Sequence, residues 1–175
     1  MNTKRLTGPE AAERIEQVAP GSVARTTPDA PYLKHESLVE TMRQLESHPE
    51  CEFKILTNLC GVDYWDRMEV VYHLQSLDRN ELMTVKTDVD REDARCPSVF
   101  PVWHGAWMQE CEAYDLFGIN FEGHSGLYRI LLWEGFPGWP LRKDFLSMPG
   151  GLQPGLNEFA GTSRRPEPPI REVDE

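Results

Sequence analysis

The chain has 175 residues, 39% hydrophobic and 27% charged, which suits one soluble globular domain with a tail and excludes a collagenous or wholly disordered polymer. Acidic residues outnumber basic ones 29 to 18, giving a formal net charge of −11, which repels phosphate backbones and anionic headgroups, so nucleic acid is not an expected partner. The cysteines at 51, 60, 96 and 111 form no C-x-x-C pair, so no zinc or iron–sulfur site, and no cofactor, is expected on this chain.

In chain order, Thr7-Gly8-Pro9-Glu10 reads as a helix start, and Ala11, Ile15 and Val18 follow at helical steps until Pro20-Gly21. Glu10, Glu13 and Glu16 interrupt this segment, so no secretory signal is expected, and no run approaches ~18 apolar residues. The reading is of a cytoplasmic protein, or one peripheral on something else. After Pro28 and Pro31, Leu38, Met42 and Leu45 predict a second amphipathic helix that ends before Pro49.

The period then changes. Residues 53–59 are strand-like, 63–67 look like a loop, and Val70, Tyr72 and Leu74 alternate onto one face. After the turn-like Asp78-Arg79-Asn80, Met83, Val85 and Val89 alternate against Lys86 and Asp88. Connections this short imply an antiparallel meander. Helical spacing returns from Val102, with Trp103, Trp107, Cys111 and Tyr114, and Phe117-Gly118 supplies a C-terminal glycine. The expected fold is α+β, a two-layer sandwich of an antiparallel sheet with helices, plus an extended C-terminal arm. Its divisions are 1–34, an N-terminal helix and strand-like lead-in; 35–118, the core domain; and 119–175, a partner-binding arm and tail. Residues 137–175 hold seven of the fourteen prolines and five of the thirteen glycines, so this stretch is expected to stay solvated or lie along another protein. The rings of residues 117–145 are expected to pack partly on their own domain and partly on a partner.

Several catalytic templates fail. Gly123-His124-Ser125-Gly126 is one residue short of a nucleophile elbow, and Asp115-Leu116-Phe117-Gly118 has no phosphate loop to accompany it. The five histidines form no H-E-x-x-H, and no G-x-G-x-x-G follows a strand. One constellation remains. Glu110, Glu112 and Asp115 crowd the end of the third helix, where the carbonyl dipole disfavours anions by ~0.3–1 kcal/mol each. Arg129 and Arg142 follow downstream. The expectation is that one of them folds back onto Glu110 or Asp115 and pins the extended segment to the helix. A paired-carboxylate acid/base site and a solvated acidic face are the competing readings.

Glu110-Cys111-Glu112-Ala113-Tyr114-Asp115-Leu116-Phe117-Gly118-Ile119, then Phe121-Glu122-Gly123-His124, Arg129-Ile130-Leu131 and Pro140-Leu141-Arg142-Lys143-Asp144-Phe145, resemble the signature of the C subunit of NADH-quinone oxidoreductase, respiratory complex I. Leu56 to Leu59, Val62 to Tyr64 and Val70 to Leu74 extend the likeness to about residues 36–146. Cys111 stands where the family usually has arginine, and Gly126-Leu127-Tyr128-Arg129 where it usually has Asp-Leu-Arg-Arg. The resemblance implies a non-catalytic, peripheral-arm subunit with no redox centre of its own. It would lie against the subunit that forms the quinone pocket and that subunit's cluster-bearing neighbour, on the cytoplasmic side of the cell membrane. NADH, flavin, iron–sulfur clusters and quinone would be held elsewhere in the complex. Glu110, Glu112, Asp115, Gly118, Arg129, Arg142, Lys143 and Asp144 are the implied motif or subunit-interface residues. The alternatives are the equivalent subunit of a nickel–iron membrane-bound hydrogenase complex and a free-standing hydrolase using Glu110 and Asp115.

Overall fold

The computed structural model describes residues 3–145. Helix α1 (Gly8–Val18) begins with a reciprocal cap, in which Glu10 N–H donates to Thr7 Oγ1 and Thr7 N–H donates to the Glu10 carboxylate at 2.8 Å. These bonds satisfy donors that the first turn leaves open, and Pro9 sits where no intrahelical donor is needed. Helix α2 (Leu38–Ser47) places Leu38, Met42 and Leu45 fully inside, as its spacing predicts.

Three long strands form the meander. β4 (Ile55–Asp63) runs antiparallel to β5 (Met68–Ser76), which runs antiparallel to β6 (Glu81–Val89). On β5, Met68, Val70, Tyr72 and Leu74 alternate into one core cluster with Ile15, Leu38, Met42 and Leu45. That alternation places the helices on this face of the sheet. The opposite face carries the side chain of Glu69, fully buried under Tyr32 Oη at 2.8 Å and the cations of Lys86 and Arg67, both at 3.1 Å. Burial opposes its charge, yet these donors outweigh the burial and hold the Glu69 carboxyl below its ordinary range.

The sheet is not purely antiparallel. β1 (Lys4–Arg5) and β3 (Pro31–Leu33) both lie parallel to β6 along its outer edge, and β2 (Val23–Thr26) pairs antiparallel with β3, giving the order β2-β3-β6-β5-β4. Strands of two to four residues, two of them flanking or containing Pro28 and Pro31, carry too few alternations to be read from sequence.

β7 (Arg95–Pro97) and β8 (Asn120–Glu122) form a second, parallel pair joined through helix α3 (Ala106–Phe117). The third helix therefore starts at Ala106, not near Val102. Pro97, Pro101 and Gly105 interrupt a helix there, and residues 99–106 form successive turns whose three- and four-residue steps mimic helical spacing. Trp103 lies in these turns, is only 6% exposed, and donates from Nε1 to the Phe53 carbonyl at 3.2 Å. Among the described residues no helix is long and apolar enough to cross a membrane. Of the proline-rich segment, residues 146–175 lie outside the described residues.

Candidate functional site

Helix α3 ends where Gly118 turns left-handed, with φ 75° and its N–H on the Tyr114 carbonyl at 2.8 Å. The Trp139 ring lies against this glycine, so a Cβ there would come within 2.5 Å of the indole. Only glycine accepts both the conformation and the contact.

Asp115, with no exposed side chain, sits on the last turn, where the dipole disfavours its charge. Its surroundings compensate. Arg129 Nη1 donates to Oδ1 at 3.0 Å, and three consecutive amides, Ile130, Leu131 and Leu132, donate to Oδ2 at 3.0, 2.7 and 2.9 Å. Successive N–H groups of this kind make an anion nest, here filled by the chain's own carboxylate. Arg129 also donates to the Asp115 and Gly138 carbonyls, and its guanidinium lies 4.3 Å from the Trp139 ring centroid. One carboxylate thus fixes the start of the irregular segment, and one arginine fixes its middle.

The rest of the segment is fastened further along the sheet. Arg142 Nε donates to the Phe117 carbonyl at 2.6 Å, and Leu141 N–H to the Leu116 carbonyl at 3.1 Å, which closes open acceptors at the helix end. Lys143 contributes its backbone N–H to Asp63 Oδ2 at 2.8 Å. Asp63 is buried at the end of β4 and also accepts from Arg91 at 3.0 and 3.3 Å, while Arg91 Nη2 reaches Asp144 at 2.8 Å. Burial works against the Asp63 charge, but Arg91 and the Lys143 amide overcome it and hold the carboxyl low. Residues 137–145 therefore run along their own helix and sheet, with Leu141 and Lys143 still exposed.

Glu110 belongs to a separate constellation. It stands five residues before Asp115, about 140° away around the helix. Its carboxyl accepts from Ser98 Oγ at 2.6 Å and Val99 N–H at 2.7 Å, with His124 Nε2 3.9 Å away. Burial pushes its pKa up to about 7, and the hydrogen bonds from Ser98, Val99 and Phe100 offset only part of that. His124 Nδ1 accepts from Gly126 N–H at 3.1 Å, which assigns the proton to Nε2 for donation to the Trp107 carbonyl at 3.2 Å. Of the predicted pairings, then, Arg129 meets Asp115, Arg142 meets a helix carbonyl, and neither arginine meets Glu110. Glu112 is exposed.

Glu110 and Asp115 are both sealed from solvent and face different neighbours, so they do not make a paired acid/base site able to touch a substrate. Among the described residues no three His, Cys, Asp or Glu side chains converge to hold a metal, and the cysteines are free thiols. Sequence reasoning missed Asp63, Arg91, Ser98 and His124 as participants. Their partners are 11 to 80 positions away, and no local pattern announces such pairings.

What the arrangement leaves open is apolar surface. Of the large hydrophobic side chains left exposed, Tyr128, Leu131, Trp133 and Leu141 lie on the pinned segment, and Met108 lies on α3. The Tyr128 ring packs edge-on against Trp107 at 5.6 Å.

Residues 31–149 match the family described as "Respiratory-chain NADH dehydrogenase, 30 Kd subunit". The chain is 42% identical to the C 2 subunit of NADH-quinone oxidoreductase from Rhizobium meliloti (strain 1021) over 137 residues, 77% of this chain and 74% of that one. It is 45% identical over 116 residues to the C subunit of the same enzyme from Roseiflexus sp. (strain RS-1), covering 65% of this chain and 67% of the other. Among solved structures, the trypsin-resistant fragment (1–134) of Nqo5 matches with TM-score 0.50 and 34% identity, covering 55% of this chain and 80% of that fragment. A chain from the membrane-bound sulfane sulfur reductase, an archaeal respiratory membrane complex, matches with TM-score 0.64 and 24% identity over 78% of this chain and 84% of that one, a likeness of fold.

Proposed function

Because the chain belongs to the 30 kDa subunit family of respiratory-chain NADH dehydrogenases, that of the NADH-quinone oxidoreductase C subunits, we propose that it is an accessory subunit in the peripheral arm of such a complex. In this reading it supports electron transfer from NADH to quinone, coupled to ion translocation, without a redox centre of its own. NADH, flavin, iron–sulfur clusters and quinone belong to other subunits. The partners are the subunit forming the quinone pocket and its cluster-bearing neighbour, and the chain meets the membrane only through them, on its cytoplasmic side. In this division 1–34 is the lead-in, which adds α1 and β1 to β3 to the 35–118 core, and 119–175 is the partner-binding arm, with Glu110, Glu112, Asp115, Gly118, Arg129, Arg142, Lys143 and Asp144 as the motif that positions it.

One observation carries this reading. The segment after α3 is fixed through buried polar groups, yet Tyr128, Leu131, Trp133 and Leu141 are left in water. A rigid backbone that presents apolar side chains outward has little ordering cost when another protein covers them.

The test is a Leu131→Ser/Leu141→Ser double variant expressed in place of the native chain. The expected result is an unchanged melting temperature for the isolated chain and a reduced share of it in the complex isolated under mild detergent. Normal incorporation would overturn the reading. The second reading, the equivalent subunit of a nickel–iron membrane-bound hydrogenase complex, rests on the same motif residues. The metal found in the co-purified large subunit distinguishes the two.

A further inference from the structure

The tip of the β4–β5 hairpin holds, among the described residues, the second most exposed of the large hydrophobic side chains. Trp65 is 63% exposed, whereas Trp103 is 6% exposed. The turn that carries it is held from both sides. Tyr64 N–H donates to the Arg67 carbonyl at 2.8 Å and closes the loop. The Tyr64 ring lies 4.7 Å from the Arg67 guanidinium and 5.7 Å from Lys143 Nζ. Arg67 is tied in turn to Asp66 and to the buried Glu69, at 2.9 and 3.1 Å. At the base of the hairpin, Asp63 is held by Arg91 and by the Lys143 amide. The backbone that carries this exposed indole is held before binding, so its burial in a partner's pocket costs the ordering of one two-torsion side chain and little further backbone entropy.

We infer that Trp65 is an interface anchor that enters an apolar pocket, with an acceptor for its indole N–H, on the same protein subunit that covers the arm. This rests on the arm being partner-binding. The link is positional, because Lys143 and Asp144 are bound to Asp63 and Arg91 at the foot of the hairpin. A subunit that lies over the arm as far as this foot is also brought against the tip.

Hydroxyl-radical footprinting read by mass spectrometry tests it on the native complex and on the full-length chain alone at several concentrations. Trp65 is expected to oxidise several-fold more slowly in the complex than in the isolated chain, with Trp103 slow in both. Trp65→Ala is expected to weaken incorporation about thirtyfold, the threshold of an aromatic hot spot, and Trp65→Phe to restore part of it. Equal Trp65 rates in complex and isolated chain overturn the inference. So does protection in the isolated chain, whether independent of concentration, meaning its own residues cover it, or rising with concentration, meaning a second copy does. If Leu131→Ser/Leu141→Ser abolishes incorporation while Trp65 is equally reactive in both states, only this inference fails. If that double variant assembles normally, the arm reading fails instead.

Discussion

Two buried carboxylates on one helix, five residues apart, meet opposite surroundings. Asp115 receives a guanidinium and three consecutive amides, whereas Glu110 receives only neutral donors, the Ser98 hydroxyl and backbone amides from Val99 and Phe100, with an imidazole 3.9 Å off. Both are sealed from water, so burial is not what separates them. The donors differ in number and charge: those of Asp115 tie a separate segment to the helix, whereas burial outweighs those of Glu110 and pushes its pKa up to about 7.

The strongest way to break the comparison is Asp115→Ala. It leaves the Arg129 charge and three amides without their acceptor, and about 3–5 kcal/mol of stability should be lost in urea unfolding, with faster proteolysis around residues 130–132. A cost near that of an ordinary surface substitution would show that the nest is not what holds the segment.

Glu110 should announce itself through pH. Its carboxyl is raised to about 7 from an ordinary 4.5, so the folded chain binds a proton that the unfolded chain releases. Its contribution to stability is full below about 4.5 and is lost as pH rises through about 7, roughly 3 kcal/mol over that window at ~1.4 kcal/mol per unit. Thermal melts of Glu110→Gln across the same range should lack this slope. Parallel slopes in both proteins would assign the dependence to another group.

Smaller effects sharpen the contrast. Gly118→Ala combines a left-handed backbone with a clash against Trp139 and should cost about 1–3 kcal/mol in denaturant midpoint. Glu112→Gln, on the same helix but exposed, should stay within about 0.5 kcal/mol of the parent. A large effect there would mean that proximity to the helix end, and not burial among donors, sets the behaviour of all three acids.

Much of this was legible in the sequence wherever a local period or cap carried the information. The box at Thr7 and Glu10, the Leu38, Met42 and Leu45 stripe, the alternation of β5 and β6, and the closing Gly118 each depend on neighbours within a few positions. The crowding of anions at the end of α3 also demanded a cation, and Arg129 supplies it. What stayed hidden depended on distant strands. β1 and β3 become strands only because the edge of β6 is there to receive them. Trp103 kept a helical interval without a helix. Arg142 has the chemistry to seek a carboxylate but closes a helix carbonyl, and Lys143 acts through its amide, which no side-chain pattern can announce.

The outer edge of β4 has one more consequence. Its register slips between Leu56 and Asn58, and beyond the slip the Leu59 amide is taken up by the Gln109 side chain of α3. The slip bends the strand and the Gln109 side chain occupies one of its amides, both of which make this edge a poorer template for strand addition. Such an edge favours association through side chains over backbone pairing, so that recognition there leans on shape and chemistry.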